Sequence, residues 1–324
     1  MDRLDADPAS KPVRPFVGRA LALRVAVAVG VVLLAVLATR GLRLRDVQRV
    51  LVDADLTLLV VATPTLLGLN LLLRGARFAP LVRALPIRTE PASYLELTGS
   101  LLISQAANNV LPLRAGELVR TRDLLRRGYA LGDVAFAYFT DKVVELVSIT
   151  LWAAPLAFAG LVHTSALVGP LVVIALAVAL LVAIAKRVRA LETLRARLGR
   201  YAREPALLGR SLIASLAADA SDLALIAACL SAVGIAPGWR EVLGVFVGVN
   251  LALAIPSTPG QVGAFEAGAV LALVAFGIPQ DRAVAFALVY RVVQWVPVTA
   301  VGWLVSLVRR PIGVGATGPA RPAP

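Results

Sequence analysis

Residues 131–160 read LGDVAFAYFTDKVVELVSITLWAAPLAFAG, thirty residues in which Asp141, Lys142 and Glu145 interrupt an otherwise apolar run. About 20 helical residues cross the roughly 30 Å hydrocarbon core of a bilayer, so this stretch is long enough to span one. Charges at the centre of such a helix cost on the order of 3 kcal/mol each to insert, and they belong in a bundle interior with partners. The pattern returns downstream. Residues 134–147, VAFAYFTDKVVELV, align with 284–296, VAFALVYRVVQWV, with one residue deleted. Glu117, Gly128 and Lys142 are separated by 11 and 14 residues, and so are Glu266, Gly277 and Arg291. A single-residue insertion near 281 keeps that register, and Asn70 and Asp219 also fall 149 apart. Duplicated halves of this kind are frequent in transporters.

Composition agrees with a membrane protein. The 324 residues are 59% hydrophobic and 16% charged, whereas a soluble domain is about a quarter charged. The net charge of +13 comes from basic residues set between apolar runs, not clustered with aromatics on a soluble face, which argues against nucleic acid as a partner. His163 and Cys229 are the sole His and Cys, too few for a His/Cys zinc site, a Cys-x-x-Cys pair or an ordinary Ser-His-Asp triad. No P-loop is present, against ATP-driven transport by this chain alone. The expectation is a non-enzyme without cofactor or metal.

Six stretches have spanning length: 21–39, 56–73, 131–160, 165–185, 211–233 and 281–308. The first is read as a retained span, since its apolar run is too long for a signal peptide and no small-residue cleavage site precedes Arg40–Arg45. Residues 1–18 and 311–324 are Pro/Gly/Ala-rich and expected to be disordered tails. Between them, 19–310 form one transmembrane domain, with repeat halves at about 56–160 and 211–308 and a basic linker at 186–210. Two further stretches, 94–112 and 240–256, are apolar but broken, each ending in an Asn, a short apolar link and a Pro. Such breaks are tolerated where backbone is buried in protein or lines a wet cavity. Both are predicted to be re-entrant hairpins, followed by helices at 114–127 and 263–277. The fold class expected is an all-α polytopic membrane protein with six full spans and two re-entrant hairpins.

With the N-terminus inside, 24 of the 33 basic residues fall in cytoplasmic segments, 6 outside and three within spans. Span 56–73 then runs inward and its partner 211–233 outward, so the halves are inverted. Broken helices meeting at an inverted-repeat interface are the usual pointer to an alternating-access substrate site.

The candidate site residues follow from the hairpins and the intramembrane charges. The first hairpin contributes Asn109, Pro112, Arg114, Gly116 and Glu117; the second contributes Asn250, Pro256, Pro259, Gly260, Gly263 and Glu266. Pro and Gly free backbone N–H groups, and a helix N-terminus that follows offers partial positive charge to an anion such as phosphate. The plainer reading makes each Glu a cap for the next helix. Within spans lie Asp141, Lys142, Glu145, Asp219, Asp222 and Arg291. Lys142 and Glu145 are i, i+3 neighbours able to pair locally. Arg291 has Gln294 at that spacing, and needs Glu266, Asp222 or an anionic ligand. Gly244-x-x-x-Gly248 reads as a helix-packing face, an unspecific pattern. Trp152, Trp295 and Trp303 read as interface or core residues, and His163 as solvated.

Three motifs in order carry a resemblance: Asn109-x-x-Pro112-x-Arg114-x-Gly116-Glu117-x-x-Arg120, then Asp141-Lys142, then Pro256-x-x-Pro259-Gly260-x-x-Gly263-x-x-Glu266. Together they resemble the transmembrane domain of the lysylphosphatidylglycerol synthase (flippase-like) family over roughly 20–308. The resemblance implies movement of phospholipid, aminoacylated in the best-known members, between leaflets. Bifunctional members continue into a soluble aminoacyl-tRNA-dependent transferase. Residue 324 lies 16 residues after the last expected span, so that domain, and aminoacyl transfer, are not expected here. The functional expectation is a lipid flippase of a bacterial inner membrane, multi-pass with both termini cytoplasmic, whose partner is anionic membrane phospholipid. Arg114, Lys142 and Arg291 would meet phosphate, and Glu117, Asp141, Glu145, Asp219 and Glu266 would balance them or an amino-bearing headgroup. The alternatives are a carrier of polyprenyl-phosphate-linked sugar or a small anion, with a glycosyltransferase as neighbour, and a membrane anchor of a lipid-modifying enzyme.

Overall fold

The computed structural model describes residues 44–87, 90–110, 116–161, 197, 199–201, 203–254, 261 and 263–308. The expected spans 21–39 and 165–185, both tails, His163 and most of the linker 186–210 lie outside them. Among the described residues all regular structure is helical: α1 (Leu44–Val52), α2 (Leu56–Arg83), α3 (Tyr94–Val110), α4 (Gly116–Arg126), α5 (Leu131–Phe158), α6 (Pro205–Ala232), α7 (Trp239–Ala254), α8 (Ala264–Ala275) and α9 (Gln280–Val308). By length and composition α2, α6 and α9 can each cross a membrane. α5 matches α2 and α6 in length at 28 residues, but Asp133, Asp141, Lys142 and Glu145 lie along it.

Local chemistry sets the ends. Asp55 caps α2, its carboxylate accepting the Leu58 N–H at 3.0 Å. Pro205 sits in the first turn of α6, where its missing N–H has no intrahelical partner to lose. The short helices α4 and α8 close in the same way. Gly128 (φ 95°) and Gly277 (φ 82°) take the left-handed conformation that a side chain resists. Past them, the N–H groups of Tyr129 and Ile278 donate to the carbonyls of Leu124 and Leu273.

One boundary differs from the sequence expectation. The apolar run 56–73 predicts a span that ends at residue 73, with Arg74 and Arg77 in a cytoplasmic loop. Instead α2 continues to Arg83, and Arg77 is buried within it. Carboxylates on two other helices receive these arginines, which removes the penalty that hydropathy alone assigns them.

α2 and α6 form the most extensive helix pair and run antiparallel. The N–H of Asp55 donates to the carbonyl of Ala232 at one end of the pair. Asn70 donates to Ala218 midway, and Arg77 to Ser215 further along. α5 packs on both. Two apolar cores flank this centre. One gathers Leu59, Leu156, Ile226, Leu230, Phe246, Leu273 and Phe286 toward the start of α2. The other gathers Phe78, Leu81, Leu97, Leu124, Val134 and Leu207 toward its end. At that second end the Tyr201 hydroxyl donates to the Leu81 carbonyl at 2.8 Å, and burial pushes its phenol up to about 12.

α3–α4 and α7–α8 are helical hairpins. In the first, Glu96 pairs with Arg127, Ser100 donates to Asp123 at 2.7 Å, and Gly116 N–H donates to Asn108 Oδ1 at 2.8 Å. The return limbs α4 and α8 have 11 and 12 residues, a rise of about 17–18 Å that falls short of the bilayer core. In the second hairpin the two backbones touch. A Cβ on Gly248 would stand 2.6 Å from the Gly268 carbonyl oxygen, and one on Gly268 would stand 2.5 Å from that of Gly248. Gly244 lies against the Phe276 ring. The Gly244-x-x-x-Gly248 pattern is thus a packing face, the device that lets helices approach where lipid supplies no hydrophobic drive.

Gly268→Ala should therefore lower stability by about 1–3 kcal/mol through overpacking, seen as a reduced Tm in detergent. Gly209→Ala, with nothing within 4 Å of the added carbon, should hold or raise it by up to about 1 kcal/mol. Equal behaviour of the two variants would remove the seam as a constraint.

Candidate functional site

Between the two apolar cores lies a layer of charged and hydroxyl side chains from α2, α5 and α6. Asn70, Arg74 and Arg77 follow each other at i, i+4 and i+7, which places them on one face of α2. Asp141, Glu145 and Ser148 line α5, and Ser211, Ser215, Asp219 and Asp222 line α6 at the same kind of spacing. Arg77 grips Asp141 with both prongs of its guanidinium, Nε to Oδ1 at 2.8 Å and NH2 to Oδ2 at 3.3 Å. These side chains are 5% and 2% exposed. Arg74 accepts no such exclusive partner. Its Nε donates to Asn70 Oδ1 at 2.8 Å, NH1 reaches Glu145 at 3.4 Å and NH2 reaches Asp222 at 3.0 Å. Glu145 collects three cations, since Lys142 Nζ donates to it at 2.6 Å and Arg77 NH1 stands 3.4 Å away. Asn70 donates to the Ala218 carbonyl and to Ser221 Oγ, and the Ser148 hydroxyl bonds Asp219.

The layer has an open side. Lys142 is 53% exposed and lines a cavity of about 480 Å³ with Glu117, Thr121, Leu131, Val134, Ala135 and Tyr138, in the cleft between α4 and α5. Arg120, one turn along α4 from Glu117, lies buried over the rings of Phe78 (4.0 Å) and Tyr138 (4.9 Å). Glu117 and Lys142 face this space without an ion pair between them, and the ammonium turns to Glu145 instead.

In the second half Glu266 Oε2 accepts the Gly263 N–H at 2.7 Å, so it does cap its helix. Its other oxygen stands 3.7 Å from Arg291 Nε, which selects Glu266 over Asp222 as the acid partner of that arginine. Arg291 also lies over the Phe265 ring at 5.3 Å. Asn109 donates to Thr299 Oγ1 at 2.8 Å and ties α3 to α9, where Gly302 admits the Leu102 carbonyl. Asn250 donates within α7 to Phe246. Pro112, Arg114, Pro256, Pro259 and Gly260 lie outside the described residues.

The structure thus brings Asp141, Lys142, Glu145 and Asp219 into one layer, sets Glu117 on the adjoining cavity, and keeps Glu266 and Arg291 as a separate pair. Sequence reasoning missed Arg74 and Arg77. Their i, i+4, i+7 spacing with Asn70 was the available signal. Among the described residues no group of three or more His, Cys, Asp or Glu side chains is placed to hold a metal ion.

A family model described as the lysylphosphatidylglycerol synthase TM region matches residues 21–302. No curated protein matches the chain.

Removing one member of the Arg77–Asp141 pair leaves a buried charge without its partner. Arg77→Ala and Asp141→Ala should each destabilise by about 3–5 kcal/mol, while Arg77→Met combined with Asp141→Leu should cost much less than the sum. Unfolding in detergent followed by circular dichroism measures the cycle. Lys142→Ala, at the exposed end, should stay within about 1 kcal/mol of the parent.

Proposed function

Because this chain belongs to the lysylphosphatidylglycerol synthase TM-region family, a group of multi-pass membrane proteins of lipid metabolism or transport, we propose that it is a flippase that moves the headgroup of an anionic or aminoacylated phospholipid between leaflets. The observation that carries the reading is an asymmetry between equivalent pairs. Glu117 and Lys142 stand 149 residues before Glu266 and Arg291. The later pair is joined, and the earlier one is parted around a cavity. Alternating access needs such a difference: one gate shut, its counterpart open, and exchange of the two states moving the cargo.

The packing supports an inverted repeat as its frame. Helix lengths of 28, 17, 11 and 28 residues in α2–α5 recur as 28, 16, 12 and 29 in α6–α9. Exchange α2 with α6, α3 with α7, α4 with α8 and α5 with α9, and each substantial helix contact maps onto another, the contact of α1 with α9 apart. The equivalent helices α2 and α6 run antiparallel, as an axis in the membrane plane requires. On this reading α3–α4 and α7–α8 are re-entrant hairpins entering from opposite faces, and four of the six spans are α2, α5, α6 and α9.

The open cavity runs along α4 and the start of α5, at the face where the basic residues collect. With both termini cytoplasmic in a bacterial inner membrane, this is an inward-open arrangement. A headgroup phosphate enters toward Lys142, the acyl chains stay in the bilayer, and the acids of the polar layer balance the arginines or an amino group on the cargo. The protein performs no bond chemistry in this scheme.

Purified chain in vesicles should accelerate leaflet exchange of labelled phosphatidylglycerol or its lysyl ester, and Glu266→Ala or Arg291→Ala should abolish that exchange with insertion unchanged. Exchange of polyprenyl phosphate alone would reassign the cargo. No acceleration for any of the three lipids over protein-free vesicles would overturn the transport reading. In a Cys229→Ser background, Glu117→Cys combined with Lys142→Cys and bridged by a bifunctional thiol reagent should stop exchange, and an unaltered rate would remove the gate.

A further inference from the structure

Among the described residues the charges of the polar layer do not balance, and the imbalance bears on the energy source of the transport proposed above, on which this inference rests. Arg74, Arg77 and Lys142 face Asp141, Glu145, Asp219 and Asp222. Each cation has a close carboxylate: Arg77 has Asp141 at 2.8 Å, Arg74 has Asp222 at 3.0 Å and Lys142 has Glu145 at 2.6 Å. Asp219 is left over. It is 3% exposed, its partner is the Ser148 hydroxyl, and among the described residues it makes no ion pair.

Among the described residues the one cation brought toward Asp219 is Arg74, already bound to Asp222 and Glu145. α5 brings Ser148 and Glu145 to Asp219, α2 brings Asn70 and Arg74, and α6 itself brings Asp222 one turn away. α9 contributes the buried Tyr290 near Asp222. The ionisable residues of α7, Arg240 and Glu241, lie in its first turn. Both apolar cores flank the layer. An ionised carboxylate in such a place, without its own cation, carries a large desolvation cost.

We infer that Asp219 is a proton-carrying site, loaded in one state of the cycle and emptied in the other, so that lipid movement is driven by a transmembrane proton gradient. Arg74 is the element that can empty it. Its guanidinium already divides itself among Asn70, Glu145 and Asp222. When α2 and α6 shift during exchange of the gates, NH1 leaves Glu145, which keeps Lys142 and Arg77, and turns to Asp219 while NH2 stays on Asp222, which favours the carboxylate form of Asp219. The O–H bond of the Asp219 acid breaks, its proton passes to water in the open cavity, and the guanidinium bridges the two carboxylates. Reversal takes a proton from the other side.

Two readouts test this on the full chain in vesicles of phosphatidylglycerol and phosphatidylethanolamine. Infrared difference spectra in ordinary and heavy water should contain a carboxylic-acid carbonyl band that Asp219→Asn removes. A gradient of one pH unit should bias the steady-state distribution of labelled phosphatidylglycerol by up to about tenfold for one proton per lipid. The bias should vanish with a protonophore and in Asp219→Asn, and return in Asp219→Glu. A parent protein that lacks the band, or that exchanges lipid with no response to the gradient, overturns the coupling. A gradient response retained in Asp219→Asn does the same. Should Asp219→Asn fail to fold, Ser148→Ala, which removes the described partner, should shift the band; an unshifted band overturns the assignment. Absence of all lipid exchange with the band present overturns both the coupling and the transport reading, and makes Asp219 a structural acid.

Discussion

A guanidinium group cannot be left alone in hydrocarbon, and most of this architecture depends on how that constraint is met. Arg74 and Arg77 leave α2 toward α5 and α6, where Asp141, Glu145 and Asp222 receive them. Each pair sets the rotation of one helix against another, because the charged face of α2 has partners in one direction only. Once that rotation is set, the apolar residues above and below fall into two separate cores rather than one. Dispersion contacts would tolerate a sliding helix; paired charges in low dielectric do not.

The hairpins meet a different constraint. Their return limbs are short, so they gain little from lipid exposure and must hold by close backbone contact. Glycine supplies that contact at Gly248 against Gly268, at Gly116 against Ser104 and at Gly302 against Leu102. Side chain to backbone bonds such as Asn108 to Gly116 then fix the turn from within. Glu266 is joined to Arg291, and 149 residues earlier in the chain Glu117 and Lys142 stand apart around a cavity.

Much of this was legible in residue order. The helices at 131–158 and 280–308 stand where apolar length put them, whereas 94–112, expected to be a re-entrant hairpin by itself, forms one continuous helix to Val110. Equal spacing put Glu117, Gly128 and Lys142 at positions matching Glu266, Gly277 and Arg291, and the two glycines close α4 and α8. The Lys142–Glu145 pair was readable from i, i+3 spacing because it closes within one helix turn. Arg74 and Arg77 were not, because a hydropathy count charges each arginine its full insertion cost and so ends the span before them.

Sequence by itself determined that the chain needs a membrane, which stretches are helical and broken, and which family it belongs to, because these depend on composition and on intervals along one chain. Tertiary structure alone decided that α2 runs on to Arg83, that Arg291 takes Glu266, that among the described residues Asp219 is the acid of the layer without an ion pair, and that Glu117 and Lys142 stand apart around a cavity. Each of these is a choice among partners more than twenty residues apart. The choice is made by distance and dielectric in the folded bundle, quantities that linear order does not contain.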